Sequence, residues 1–181
     1  MKKIIVATNN QGKLKEIKEK ENIDFTIVNG ENSAEGMGIT EKNFKEILEE
    51  KVDVITMGNH TWGKKDIFKF IDHPKLIRPA NYTKGIVGKG YNIYSCKDKK
   101  IAVINLIGRV DMNVLSENPF VIVKEIIENI NKCKKNLDGQ DINTILKQFP
   151  VRKRIFIKCA LAKFVFPLKL YVALQQKMIG E

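Results

Sequence analysis

Two short apolar runs, each ending in a cluster of oxygen and imidazole side chains, constrain this chain more than any other feature. The first, F-T-I-V at residues 25–28, leads into N-G-E-N and so delivers Asn29, Glu31 and Asn32. The second, V-D-V-I-T-M at residues 52–57, leads into G-N-H-T-W and delivers Asn59 and His60. Between them Ile39, Phe44, Ile47 and Leu48 recur at helical spacing. Strand, helix and strand at this length make a βαβ unit, which crosses over right-handed into a parallel sheet. Open parallel sheets bind ligands outside the carboxyl ends of their strands. The pattern therefore predicts a site where these two strands end.

The chemistry of that site suits a divalent cation. Glu31 offers a carboxylate, Asn32 and Asn59 offer amide oxygens, and His60 offers imidazole. Mixed oxygen and nitrogen ligation fits Mn, Fe or Zn better than a metal that prefers thiolate. The plainer reading is that the glycines make turns and the asparagines cap helices. It accounts for the asparagines but less well for Glu31 paired with His60.

The motifs N-G-E-N at 29–32, G-I-T-E-K at 38–42, G-N-H-T-W at 58–62, R-P-A-N-Y at 78–82, G-K-G-Y at 88–91 and I-A-V-I-N-L-I-G-R-V at 101–110 resemble the YmdB family of metallophosphoesterases. The resemblance runs from about residue 21 to 128. It implies a di-metal phosphodiesterase acting on cyclic nucleotides or related phosphoesters. It also implies that Glu31, Asn32 and Asn59 are metal ligands and that His60 is the acid serving the leaving group. Family members carry further histidine ligands later in the chain, whereas this sequence has only two histidines, His60 and His73. The retained donors suffice for one weakly held ion (Mn, Fe or Mg), so weak activity or none is expected.

The opening is different. A-T-N-N-Q-G-K-L-K-E at 7–16 is similar to the start of the inosine/xanthosine triphosphate pyrophosphatases. That resemblance makes Thr8, Asn10 and Lys13, with Glu16, candidate phosphate-binding residues. A turn between strand and helix holds phosphate through its backbone N–H groups. In a YmdB-like opening the first strand ends in a ligand Asp; an ungapped comparison puts Asn9 there. The expectation is a truncated or chimeric product. Its alternative functions are a pyrophosphatase-like phosphate binder, or a non-catalytic domain that binds partners through the tail.

Charge separates the motif region from the C-terminal tail. The chain has 181 residues and net charge +11; residues 129–181 carry 11 Lys and Arg against 3 Asp and Glu. This basic and apolar tail reads as two amphipathic helices broken near Pro167. An anionic membrane surface or a nucleic acid is its candidate partner, and a homo-oligomer is a further candidate. Cys96, Cys133 and Cys159 lack metal or disulfide spacing, and the apolar run at the N-terminus is too short for a signal peptide, so a cytoplasmic setting is expected.

The expected fold is α/β: a partial metallophosphoesterase-like domain over 1–130, with a mostly parallel sheet flanked by helices on both faces, then the helical tail over 131–181. A short helix is expected over 62–71 and a hairpin from 91–95 and 100–107. A further helix from Pro119 would bury Phe120, Val123, Ile126, Ile127 and Ile130 on one face. His73 reads as a solvated loop residue. Asn81 reads as a phosphate contact or a turn former, and Arg109 as a site-facing or surface cation.

Overall fold

The computed structural model describes residues 4–7, 23–109, 114–135, 160–161 and 168–175. Four strands, β1 (Ile4–Ala7), β2 (Phe25–Asn29), β3 (Val54–Thr56) and β4 (Leu76–Ile77), form one sheet in the order β1-β2-β3-β4. Every pairing in it is parallel. A second sheet has the order β5-β6-β8-β7, from β5 (Tyr91–Cys96), β6 (Lys99–Ile107), β7 (Ala160–Leu161) and β8 (Leu168–Gln175). The β5–β6 hairpin is antiparallel, and β8 runs parallel to β6.

The core falls into three slabs, and these define four layers. Val28, Ile55 and Leu76 point from the parallel sheet toward α1 (Glu41–Glu49), packing with Phe44 and Ile47. Thr40 caps that helix, its Oγ1 accepting the Asn43 N–H at 3.2 Å. From the opposite face of the same strands, Phe25, Ile27, Val54 and Ile77 pack against Ile101 and Val103 of β6. The other face of β6 (Ala102, Ile104 and Leu106) packs on Ile122, Ile126, Ile127 and Ile130 of α2 (Pro119–Lys135). The order is helix, sheet, sheet, helix. Strands buried on both faces must be apolar at nearly every position, which explains F-T-I-V and I-A-V-I-N-L-I.

Several expectations change here. The parallel sheet has a helix on one face and the second sheet on the other, rather than helices on both. The segment after Pro167 is not helical: Leu168–Gln175 is a strand paired residue for residue with β6. An amphipathic pattern with β-branched and aromatic residues accepts either state, and the partnerless edge of β6 selects the strand. The remaining tail residues lie outside those described. Phe120 sits in the first turn of α2 and is 68% exposed, with Ile122 on the packed face instead. The stretch after Trp62 is a short 3-10 helix, Lys65–Lys69. Among the described residues no helix is long and apolar enough to cross a membrane.

Tyr94 on β5 donates its hydroxyl to the Pro74 carbonyl at 2.8 Å and stands 5.9 Å from the Phe25 ring. Burial pushes its phenol up to about 12. An unfolded tyrosine ionises near pH 10, so the unfolded chain releases this proton first. Stability is therefore complete below about pH 10 and falls as pH rises toward about 12. Urea midpoints across this range should decline in the native chain and decline less steeply in Tyr94→Phe.

Candidate active site

The two loops that carry the motifs start side by side because their strands are in register. Asn29 of β2 pairs with Thr56 of β3, and the Gly30 N–H continues the ladder to the Thr56 carbonyl at 2.9 Å. The first loop turns at once. Asn29 Oδ1 accepts the Glu31 N–H at 2.8 Å, and the Ser33 hydroxyl donates to the Gly30 carbonyl at 2.7 Å. The second loop folds as a tight turn in which the Gly58 carbonyl accepts three donors. These are the Thr61 N–H at 3.1 Å, the Thr61 hydroxyl at 2.6 Å and the Tyr82 hydroxyl at 2.6 Å.

A carboxylate fastens the loops together. Glu31 is buried, at 8% exposure, and its Oε1 accepts the backbone N–H of His60 at 3.2 Å. The His60 Nδ1 lies 3.0 Å from Asn32 Oδ1 and 4.0 Å from Glu31 Oε1. An amide oxygen can only accept, so the tautomer that matches this contact has the proton on Nδ1 and leaves Nε2 free for a substrate. Asn59 is half-buried in the same turn. The loops touch again at Gly38, whose φ is +75°; a Cβ there would lie 3.1 Å from both the His60 carbonyl oxygen and the Lys64 nitrogen. That position needs glycine for its conformation and for the close approach.

The floor beneath the loops is polar, and its side-chain amide N–H groups are engaged, although the buried Oδ1 of Asn105 has no partner among the described residues. Asn105 of β6 is completely buried and donates to the Met57 carbonyl at 2.6 Å and the Ile77 carbonyl at 3.2 Å. It thereby ties the second sheet to the ends of β3 and β4. Asn81 is also completely buried. It donates to the Ile107 and Glu117 carbonyls, each at 2.9 Å, and accepts the Ile107 N–H at 2.8 Å. These bonds use its amide within the fold, so the phosphate contact considered from sequence is not what this side chain makes. Arg78 is buried and donates to the carbonyls of Pro79, Ile86 and Val87. His73 is half-buried rather than solvated: its Nδ1 accepts the Lys75 N–H at 3.2 Å and its ring meets Phe44 edge-on. Burial, with the Lys75 charge adding to it, lowers its pKa. Arg109 is exposed beyond the end of β6.

The structure thus brings Glu31, Asn32, Asn59 and His60 into one pair of joined loops. Thr8, Asn10 and Lys13 lie outside the described residues. Tyr82, Thr61 and Asn105 belong to the site's framework and went unnoticed in the sequence. Tyr82 closes the R-P-A-N-Y motif, but nothing local to that motif shows that its hydroxyl reaches Gly58. Among the described residues no group of three or more His, Cys, Asp or Glu converges. One carboxylate with two neighbouring amides fits part of the shell of a single ion.

Comparison with known proteins places the chain among a family of phosphoesterase-like relatives. The family described as YmdB-like protein matches residues 7–142. A Bacillus subtilis (strain 168) protein named 2',3'-cyclic-nucleotide 2'-phosphodiesterase is 47% identical over 117 residues, covering 64% of this chain and 44% of its own length. The solved structure titled as a novel phosphatase from Mycoplasma pneumoniae superimposes with a TM-score of 0.63 at 31% identity. That match covers 70% of this chain and 50% of the Mycoplasma chain. A hypothetical protein from Thermus thermophilus gives a TM-score of 0.59 at 29% identity, covering 64% of this chain and 44% of the Thermus chain. The chain therefore spans about half the length of the relatives it matches.

Removing the Tyr82 hydroxyl withdraws one of three donors from the Gly58 carbonyl. Tyr82→Phe should lower stability by about 1 kcal/mol, read from urea unfolding, and should shift the His60 ring resonances in NMR while leaving those of His73 in place.

Proposed function

The chain belongs to the YmdB-like family, and from that premise we propose that it acts on nucleotide phosphoesters as a metal-dependent phosphodiesterase through the joined loops at the ends of β2 and β3. The observation that carries this reading is the Glu31 carboxylate on the His60 backbone N–H, with Asn32 on the His60 ring. That contact puts an anionic oxygen, an amide oxygen and an imidazole within one site, at the strand ends where such sheets bind ligands. The name of the Bacillus relative supports the substrate class.

In this reading Glu31, Asn32 and Asn59 hold a divalent cation. When bound, such an ion supplies Lewis acidity toward a phosphoryl oxygen and a hydroxide nucleophile near neutral pH. The chain's own residues do the rest. Glu31 holds the His60 backbone in the turn, and Asn32 holds its ring over the first loop. Asn32 accepts from Nδ1 and fixes the tautomer, leaving Nε2 as the proton carrier. A protonated Nε2 gives its proton to the ester oxygen as the P–O bond breaks, so the product leaves as a neutral hydroxyl. The ring then takes a proton back from water for the next turn.

The test is hydrolysis of bis-p-nitrophenyl phosphate with added Mn²⁺. The native chain, with one ion held, should turn over slowly, and His60→Ala should lower kcat by about 10²-fold or more with its fold intact by circular dichroism. Native turnover no higher than that of His60→Ala would remove this reading.

A further inference from the structure

Beside the joined loops lies an aromatic surface that the phosphoester chemistry does not use. Trp62 follows His60 by two residues, within a turn closed by the Gly63 N–H on the His60 carbonyl at 2.9 Å. Its ring stacks on Phe68, with centroids 5.4 Å apart and planes 17° from parallel. Trp62 is half-buried against the first core slab, so it is held in place, whereas Phe68 is 60% exposed. Met37 from the first loop is 51% exposed and rests on Gly63, its Cγ 2.7 Å from where a Cβ on Gly63 would stand. An exposed phenyl backed by a fixed indole presents one flat free face, with a polarizable thioether carried on the neighbouring residue.

We infer that Trp62 and Phe68, with Met37 at their edge, form the stacking platform for the base of a nucleotide held at the joined loops. This inference rests on the phosphoester reading of the same loops and adds the part of the substrate that reading leaves unplaced. A cleft of about 270 Å³ lined by Ser33, Ala34, Glu35, Thr40, Lys42, Asn43 and Lys64 also opens at the first loop. Its lining has no ring on which a base could stack. The Trp62–Phe68 pair has one, continuous along the chain with His60. Stacking accepts any base because every base has a π-face, so the platform raises affinity for nucleotides generally and does not choose among them.

The experiment reads binding, so the platform and the phosphodiesterase activity fail separately. Adenosine 2',3'-cyclic phosphate and the base-free glycerol 1,2-cyclic phosphate are titrated by calorimetry with Mn²⁺ present. Emission of Trp62, the chain's single tryptophan, serves as a local reporter. The cyclic nucleotide should bind about tenfold or more tighter than the base-free ester and should change Trp62 emission. Phe68→Ala should weaken the nucleotide about tenfold and leave the base-free ester unchanged, while Phe68→Tyr should restore native affinity. A chain that binds the nucleotide in this way without hydrolysing it keeps the platform and loses only the activity. Three results would overturn the platform: Phe68→Ala binding the nucleotide as tightly as the native chain, the two ligands binding equally, or no nucleotide binding at all.

Discussion

The bond between the Glu31 carboxylate and the His60 backbone N–H is the contact on which the site depends. It spans 29 positions of sequence, yet it forms because β2 and β3 are adjacent and parallel, with Asn29 opposite Thr56. A one-residue slip of β3 along β2 would turn Ile55 away from α1 while Val28 stayed, and would shift the two loops out of line. The registry is in turn held by apolar burial on both faces of the strands. Stability of the core and geometry of the site are thus the same constraint viewed at two scales.

The second sheet adds more than area. Between two otherwise apolar faces Asn105 reaches across to the carbonyls at the ends of β3 and β4, and Asn81 sews the end of β6 to the segment before α2. Asn81, paired through both ends of its amide, favours this alignment, because a shifted one would leave buried polar atoms unmatched; Asn105 donates twice but keeps its buried Oδ1 unpartnered among the described residues. The Gly58 carbonyl, with three donors, does for the second loop what these amides do for the sheets. The side chains that would meet a substrate are few. Those that hold them still are many, and they lie deeper.

Much of this was legible in the sequence where the signal is local. The βαβ unit, the helix after Thr40, the β5–β6 hairpin and the gathering of Glu31, Asn32 and His60 follow from periodicity and from where the polar clusters fall. The failures were nonlocal. Leu168–Gln175 is a strand because β6 offers it an edge, and no window of its own residues contains that fact. Asn81 reads as a phosphate contact or a turn former because polarity does not say whether the partner is a ligand or a buried carbonyl. Phe120 matched the helical stripe, yet the packed face of α2 runs through Ile122, Ile126, Ile127 and Ile130 and leaves Phe120 exposed. The one slab of core between the two sheets depends on how they stack, which no local pattern contains.

Central to the proposed chemistry is a divalent cation received by the loops that Glu31 and His60 join. The chain has two histidines, one in these loops and one beside Phe44, so paramagnetic Mn²⁺ can be located by NMR. Substoichiometric Mn²⁺ should broaden the His60 ring resonances and spare those of His73, and Glu31→Gln should abolish that selectivity. Equal broadening of both rings, or selectivity that survives Glu31→Gln, would contradict a cation held at these loops.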